Sequence, residues 1–213
     1  MPTDPISTVE TFRSNGYAVI RGLVAADRVA RLRDHMAARA AAGTLRMNGD
    51  EQVPGTPHVY GDSAVDTLMQ DIKPLIEAHS GLKLHPTYSF ARIYKKGDVL
   101  APHRDRDACE IFISLNLGQE PDVPWPLNIG EEDAPFAAML RPGDVLLYRG
   151  PELTHWRDAY QGERLFQVFL HYVDANGPHA GEKFDSRASL GNAFTPEMTG
   201  RLASIQVPRL TGR

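Results

Sequence analysis

Phe90-Ala-Arg-Ile-Tyr94, Lys95-Lys-Gly-Asp98 and Val99-Leu-Ala-Pro-His103 read as a strand, a turn and a returning strand. Strand-forming residues give way to a Lys/Gly/Asp turn and then resume. The return ends in His103-Arg-Asp105. Residues i and i+2 of a strand project from one face, so one ion can meet both side chains. With a second imidazole from His155, the set matches the facial triad that holds non-haem Fe(II) and leaves coordination positions open. An HxD triplet alone arises by chance in roughly half of chains of this size and composition. Its setting among strands carries the weight.

Working outward, Glu110-Ile-Phe-Ile-Ser-Leu-Asn-Leu117 is a further β-rich run. Arg141-Pro-Gly-Asp144 is a turn before the short buried strand Val145-Leu-Leu-Tyr148, and a polar loop then ends at Thr154-His155. A turn at Gln161-Gly162 leads into Arg164-Leu-Phe-Gln-Val-Phe-Leu-His-Tyr-Val173, the clearest strand of the chain. Alternation puts Arg164 on the face of Phe166, Val168 and Leu170. A guanidinium held with an apolar face needs an anion, and its planar fork suits a carboxylate. Strands in such succession from Leu82 to Val173 predict a closed or double-sheet architecture.

The flanks are simpler. Residues 5–24 predict a short helix and a first strand. Asp27 is the expected N-cap of a helix over 28–42, with Gly43 as its stop. The polar stretch Thr44–Gly61 is long enough to be a functional loop. A helix over 63–79 is expected to bury Leu68, Met69, Ile72, Leu75 and Ile76 under the sheet. The punctuated tail after Asp174 reads as a wrap or lid. The expectation is one domain over 1–213, with helical support in 1–81, a β core in 82–173 and the tail in 174–213. His35, His58, His79, His85 and His179 have no ligand partner at metal spacing, and His171 is expected to be a packed, hydrogen-bonded strand histidine.

Tyr94-Lys-Lys-Gly-Asp98, His103-x-Asp105, Ile113-Ser-Leu-Asn-Leu117, Arg141-Pro-Gly-Asp144, His155 and Gly162-Glu-Arg164 together resemble the Fe(II)- and 2-oxoglutarate-dependent oxygenases, in their prolyl-hydroxylase-like and phytanoyl-hydroxylase-like branches. Phe12–Val24 followed by a helix resembles the start of the same proteins, so the likeness spans about residues 8–173. It implies a mainly β fold with flanking helices around a jelly-roll core, the double-stranded β-helix. It implies Fe(II) on His103, Asp105 and His155, with 2-oxoglutarate and O2 as co-substrates. Arg164 would take the distal carboxylate of 2-oxoglutarate and Tyr94 would contact the same molecule. Where some relatives carry an aromatic residue two positions before the matched Asn116, this chain has Ser114. The implied reaction is hydroxylation of an unactivated C–H of a small or peptidic substrate, with release of succinate and CO2. Desaturation or dealkylation would follow from the same oxidant, whereas related halogenases lack the carboxylate that Asp105 supplies. Arg106 and Trp156 are the side chains expected to touch substrate.

Two other readings stay open: a cupin-like metalloenzyme (an isomerase, or a dioxygenase independent of 2-oxoglutarate), which would not need Arg164, and a binding module without catalysis. At 213 residues, 42% of them hydrophobic, the chain can bury one substantial core. The net charge of −4 disfavours a nucleic-acid partner, and the two-arginine pattern of the nucleic-acid-demethylating branch is not evident. No stretch reaches the roughly 18 apolar residues of a membrane span. One cysteine, Cys109, and an N-terminus without signal-peptide character lead to the expectation of a cytoplasmic protein.

Overall fold

Ten strands and three helices organise the computed structural model, which describes residues 4–191. Helix α1 (Pro5–Asn15) starts at an Asp4 cap that accepts from the backbone of Ile6 and Ser7, and ends on left-handed Gly16. Then follow β1 (Tyr17–Ile20), α2 (Ala26–Ala41), β2 (His58–Tyr60) and α3 (Ser63–Ser80). The remaining strands are β3 (Leu84–Lys95), β4 (Leu100–His103), β5 (Ile111–Glu120), β6 (Leu127–Ile129), β7 (Phe136–Ala138), β8 (Val145–Tyr148), β9 (His155–Arg157) and β10 (Arg164–Asp174).

All strand pairings among the described residues are antiparallel. A six-stranded sheet runs β1-β8-β5-β10-β3-β2 and a four-stranded sheet runs β4-β9-β6-β7. The long strands β3, β5 and β10 form the middle of the larger sheet, apolar on both faces, and the two faces serve different cores. One face, with Ile93, Ile113, Leu115, Phe166, Val168 and Leu170, packs against Leu32 and Met36 of α2 and Leu68, Met69 and Ile76 of α3. The other face, with Tyr88, Tyr94, Phe112, Tyr148 and Leu165, meets Leu100, Leu127 and Ile129 of the smaller sheet. This is the double-sheet, jelly-roll arrangement expected from the strand pattern.

Two local expectations are corrected. Helix α2 begins at Ala26 with Ala25 as an N-cap that offers no side chain, and Asp27 sits in the first turn, paired with Arg31 at 2.7 Å. Leu75 is 46% exposed because it falls at the edge of the arc that buries Val65, Leu68, Met69, Ile72 and Ile76. As far as it is described, the tail carries a short 3-10 segment, Ala180–Ser186, that packs on β3. The rest of the expected lid, residues 192–213, lies outside the described residues. No described helix is long and apolar enough to cross a membrane.

Candidate metal centre

His103 closes β4, and His155 opens β9 directly opposite it in the antiparallel register. Asp105 follows two residues after His103, held by its own N–H donating to the Gly150 carbonyl at 3.1 Å. One ligand atom from each of the three lies within 4.8 Å of the others. Nε2 of His103 is 3.7 Å from Asp105 Oδ1, and Nε2 of His155 is 3.4 Å from Asp105 Oδ2. In both imidazoles Nδ1 is committed to a backbone carbonyl, that of Ala101 at 2.8 Å and that of Leu153 at 3.0 Å. Such a bond fixes Nδ1 as the protonated nitrogen and turns the Nε2 lone pair toward the common point.

The donor set fits a divalent cation. Asp105 Oδ2 is buried and has no hydrogen-bond partner, an arrangement costly for a carboxylate without a cation. Burial drives His103 and His155 down to about 4 and raises Asp105 to about 6. Neutral imidazoles are what a metal needs, and an ion would restore the aspartate charge. Gly150 makes the packing possible: a Cβ there would lie 2.5 Å from Asp105 Oδ2 and 2.7 Å from the Cys109 carbonyl. The Tyr148 hydroxyl reaches His155 Nε2 at 3.3 Å and faces the same space.

The triad opens into a cavity walled by alternate residues of β3: Tyr88, Phe90, Arg92 and Tyr94. Phe112, Ser114, Phe169 and His171 continue the wall across β5 and β10, and Asn48–Gln52 of the long polar loop reach its mouth. His171 is a packed strand histidine as expected, stacked on Tyr88 at 3.9 Å and bonded to the Tyr88 carbonyl. His58, by contrast, is drawn in by β2: it is 4% exposed and stacks on Phe90.

The sequence-derived residues divide. His103, Asp105, His155, Tyr94 and Arg106 all line the cavity. Tyr94 is 1% exposed, and its hydroxyl accepts from Arg92 at 3.2 Å. Arg106 is committed to Asp185 through two bonds of 2.7 and 2.8 Å, and Asp185 also accepts from the Tyr60 hydroxyl. Arg164 is not at the site. It shares the face of Phe166, as alternation requires, but that face packs on the helices, and the Arg164 side chain is 57% exposed and paired with Glu120 at 2.6 Å. The inward residues of β10 are Leu165, Gln167, Phe169 and His171. Trp156 is likewise off the cavity lining, because the alternation that turns His155 and Arg157 inward turns Trp156 away.

Two buried arginines missed in the sequence take up space in this wall. Arg92, 3% exposed, forms an ion pair with Asp50 of the mouth loop, while its Nε is buried without a partner. Arg157, also 3% exposed, lies over Trp125 at 4.5 Å and donates to the Trp125 carbonyl at 3.3 Å. Burial lowers its proton affinity, and the groups that most offset this are the phenols of Tyr94, Tyr148 and Tyr160. The signal was available: Arg157 follows His155 at the same period-two spacing that made His103 and Asp105 a pair.

No family model matches the sequence, and no curated protein matches it. Solved structures do match in fold. The non-haem α-ketoglutarate-dependent epimerase SnoN from nogalamycin biosynthesis is similar at 17% identity and TM-score 0.69, over 89% of this chain and 93% of its own. A Pseudomonas putida prolyl-4-hydroxylase is similar at 20% identity and TM-score 0.64, over 80% and 99%. A Trichoplax adhaerens prolyl hydroxylase, solved with a hypoxia-inducible-factor peptide fragment, is similar at 15% identity and TM-score 0.66, over 86% and 92%. The fold of this chain is therefore the fold of the 2-oxoglutarate/Fe(II) oxygenases.

Proposed function

We propose that this chain, built on the oxygenase jelly roll, is a non-haem Fe(II)- and 2-oxoglutarate-dependent dioxygenase that hydroxylates an unactivated C–H of a small or peptidic substrate. The observation that carries the reading is the convergence of His103 Nε2, His155 Nε2 and an unpartnered Asp105 carboxylate oxygen in one buried cavity. Three protein ligands leave open positions for a chelating co-substrate and O2. When bound, iron with 2-oxoglutarate and O2 supplies oxidation of the C–H with release of succinate and CO2.

The protein's own part is positional. The carbonyls of Ala101 and Leu153 hold both imidazoles in the ligating tautomer. Asp105 contributes the negative charge and fills the position that halogenation would need, which supports hydroxylation. Tyr88, Phe90, Phe112 and Phe169 present apolar surface around the centre and exclude water from it. SnoN, on the same fold, is an epimerase, so the scaffold by itself does not set the reaction outcome.

The cupin-like alternative has no use for a buried cation without a carboxylate near the metal, and among the described residues Arg157 stands in this wall as one. Anaerobic titration of the apo protein with Fe(II) and then 2-oxoglutarate tests the choice. A weak visible charge-transfer band, absent in Asp105→Ala, is expected. Bound iron without a band would remove the 2-oxoglutarate reading and leave the cupin-like one.

A further inference from the structure

Four arginines line the cavity: Arg46, which is exposed, and Arg92, Arg106 and Arg157, which are not; these last three are not equivalent. Arg92 carries Asp50 as its counter-ion and Arg106 carries Asp185. Arg157 has no carboxylate within ion-pair distance among the described residues; its one hydrogen bond, of 3.3 Å, goes to the Trp125 carbonyl. A guanidinium offers five N–H donors in a fixed fork. Burying one without an anion is costly, and the natural complement is a carboxylate taken by two parallel bonds.

Its place is equally specific. Arg157 stands two residues beyond His155 on β9 and on the same face, so their Cα atoms are about 6.6 Å apart along the strand. A ligand that chelates the metal at one end and carries a carboxylate about three carbons away matches that spacing. The guanidinium stacks over Trp125 at 4.5 Å and lies 5.7 Å from the Tyr94 ring. Those rings fix its plane, so the fork is oriented before a ligand arrives.

We propose that Arg157, not Arg164, binds the distal carboxylate of 2-oxoglutarate, with Tyr94 beside it, so that the anchoring cation sits on the metal-ligand strand β9 and not at the start of β10. This rests on the 2-oxoglutarate reading above. Arg164 is then a surface residue paired with Glu120.

The test is anaerobic titration of the Fe(II)-loaded protein with 2-oxoglutarate and, separately, with 2-oxobutyrate, which keeps the chelating keto acid but lacks the distal carboxylate. The charge-transfer band reads binding in wild type, Arg157→Met, Arg157→Lys and Arg164→Ala. Iron content and melting temperature report on the fold of each. Wild type is expected to prefer 2-oxoglutarate. Arg157→Met should weaken 2-oxoglutarate by more than about thirtyfold, the scale for removing one partner of a buried charge pair, and leave 2-oxobutyrate nearly unchanged. Arg157→Lys should fall between, and Arg164→Ala should match wild type. Loss of the preference in Arg164→Ala but not in Arg157→Met would overturn the assignment, as would equal loss of both keto acids in Arg157→Met and Arg157→Lys. A wild type that binds iron but shows a band with neither keto acid would instead overturn the 2-oxoglutarate reading itself.

Discussion

At the scale of single residues, the centre depends on a contact that no ligand list includes. Gly150 has no side chain, and its carbonyl takes the Asp105 N–H. A methyl group at that position would sit 2.5 Å from the ligand oxygen, so Gly150→Ala must displace either the loop or the carboxylate. Support of this kind is typically worth 10–100-fold in metal affinity. We expect Gly150→Ala to bind Fe(II) roughly 10–100-fold more weakly with its secondary structure intact, read by competition with a chelator under anaerobic conditions and by far-ultraviolet circular dichroism. Unchanged affinity would show that the loop can yield. His103 and Asp105 were legible as a pair because two residues of spacing is a property of the strand itself. Gly150 was not, because its role arises from a neighbour forty-five positions away in the chain.

At the scale of elements, α3 and the mouth loop make opposite kinds of contribution. Leu68 on α3 is fully buried against the outer face of the larger sheet, while Leu75 is 46% exposed. Leu68→Ala should therefore cost about 2–5 kcal/mol in a denaturant melt. Leu75→Ala should stay within about 0.5 kcal/mol, and a comparable loss would place Leu75 back among the buried residues of the helix. The mouth loop is tethered by charge: Asp50 also accepts from the backbone of Gln52 and so braces the bend that delivers it to Arg92. Asp50→Asn leaves Arg92 buried without its carboxylate, a change of about 3–5 kcal/mol for a buried pair. We expect faster proteolysis between residues 48 and 53 as well as lower stability. Protection equal to wild type would show that the ion pair does not hold the loop.

At the scale of the whole molecule, buried imidazoles set the pH response. Burial holds His103 and His155 down at about 4 and His171 at about 3, against 6.5 when unfolded. Below 6.5 the unfolded chain takes up protons that the fold refuses, so stability is present above that pH and is lost as pH falls toward 4. Asp105, raised from 3.8 to about 6, acts in the opposite sense over the same interval, but it is one group against three. The apo protein should melt at a lower temperature at pH 5 than at pH 7. Fe(II) should widen the gap, because it binds only deprotonated ligands. A flat apo profile between these pH values would contradict the burial of the three histidines.

The sequence alone determined the strand succession, the turns at Lys95–Asp98 and Arg141–Asp144, the helices on either side of the long loop, and the pairing of His103 with Asp105. Each of these is written in local periodicity or in turn chemistry. The same alternation correctly grouped Arg164 with Phe166, Val168 and Leu170. It could not tell which face of β10 looks into the jelly roll, because both faces are apolar: one packs on α2 and α3, the other on the smaller sheet. Only the tertiary structure assigned those faces. In doing so it moved Arg164 to the surface, paired Arg92 with Asp50 and Arg106 with Asp185, and left Arg157 beside the metal ligands without an acid of its own. Charge pairing between distant segments is a property of the assembled fold, since the partners are 42 and 79 positions apart in the chain.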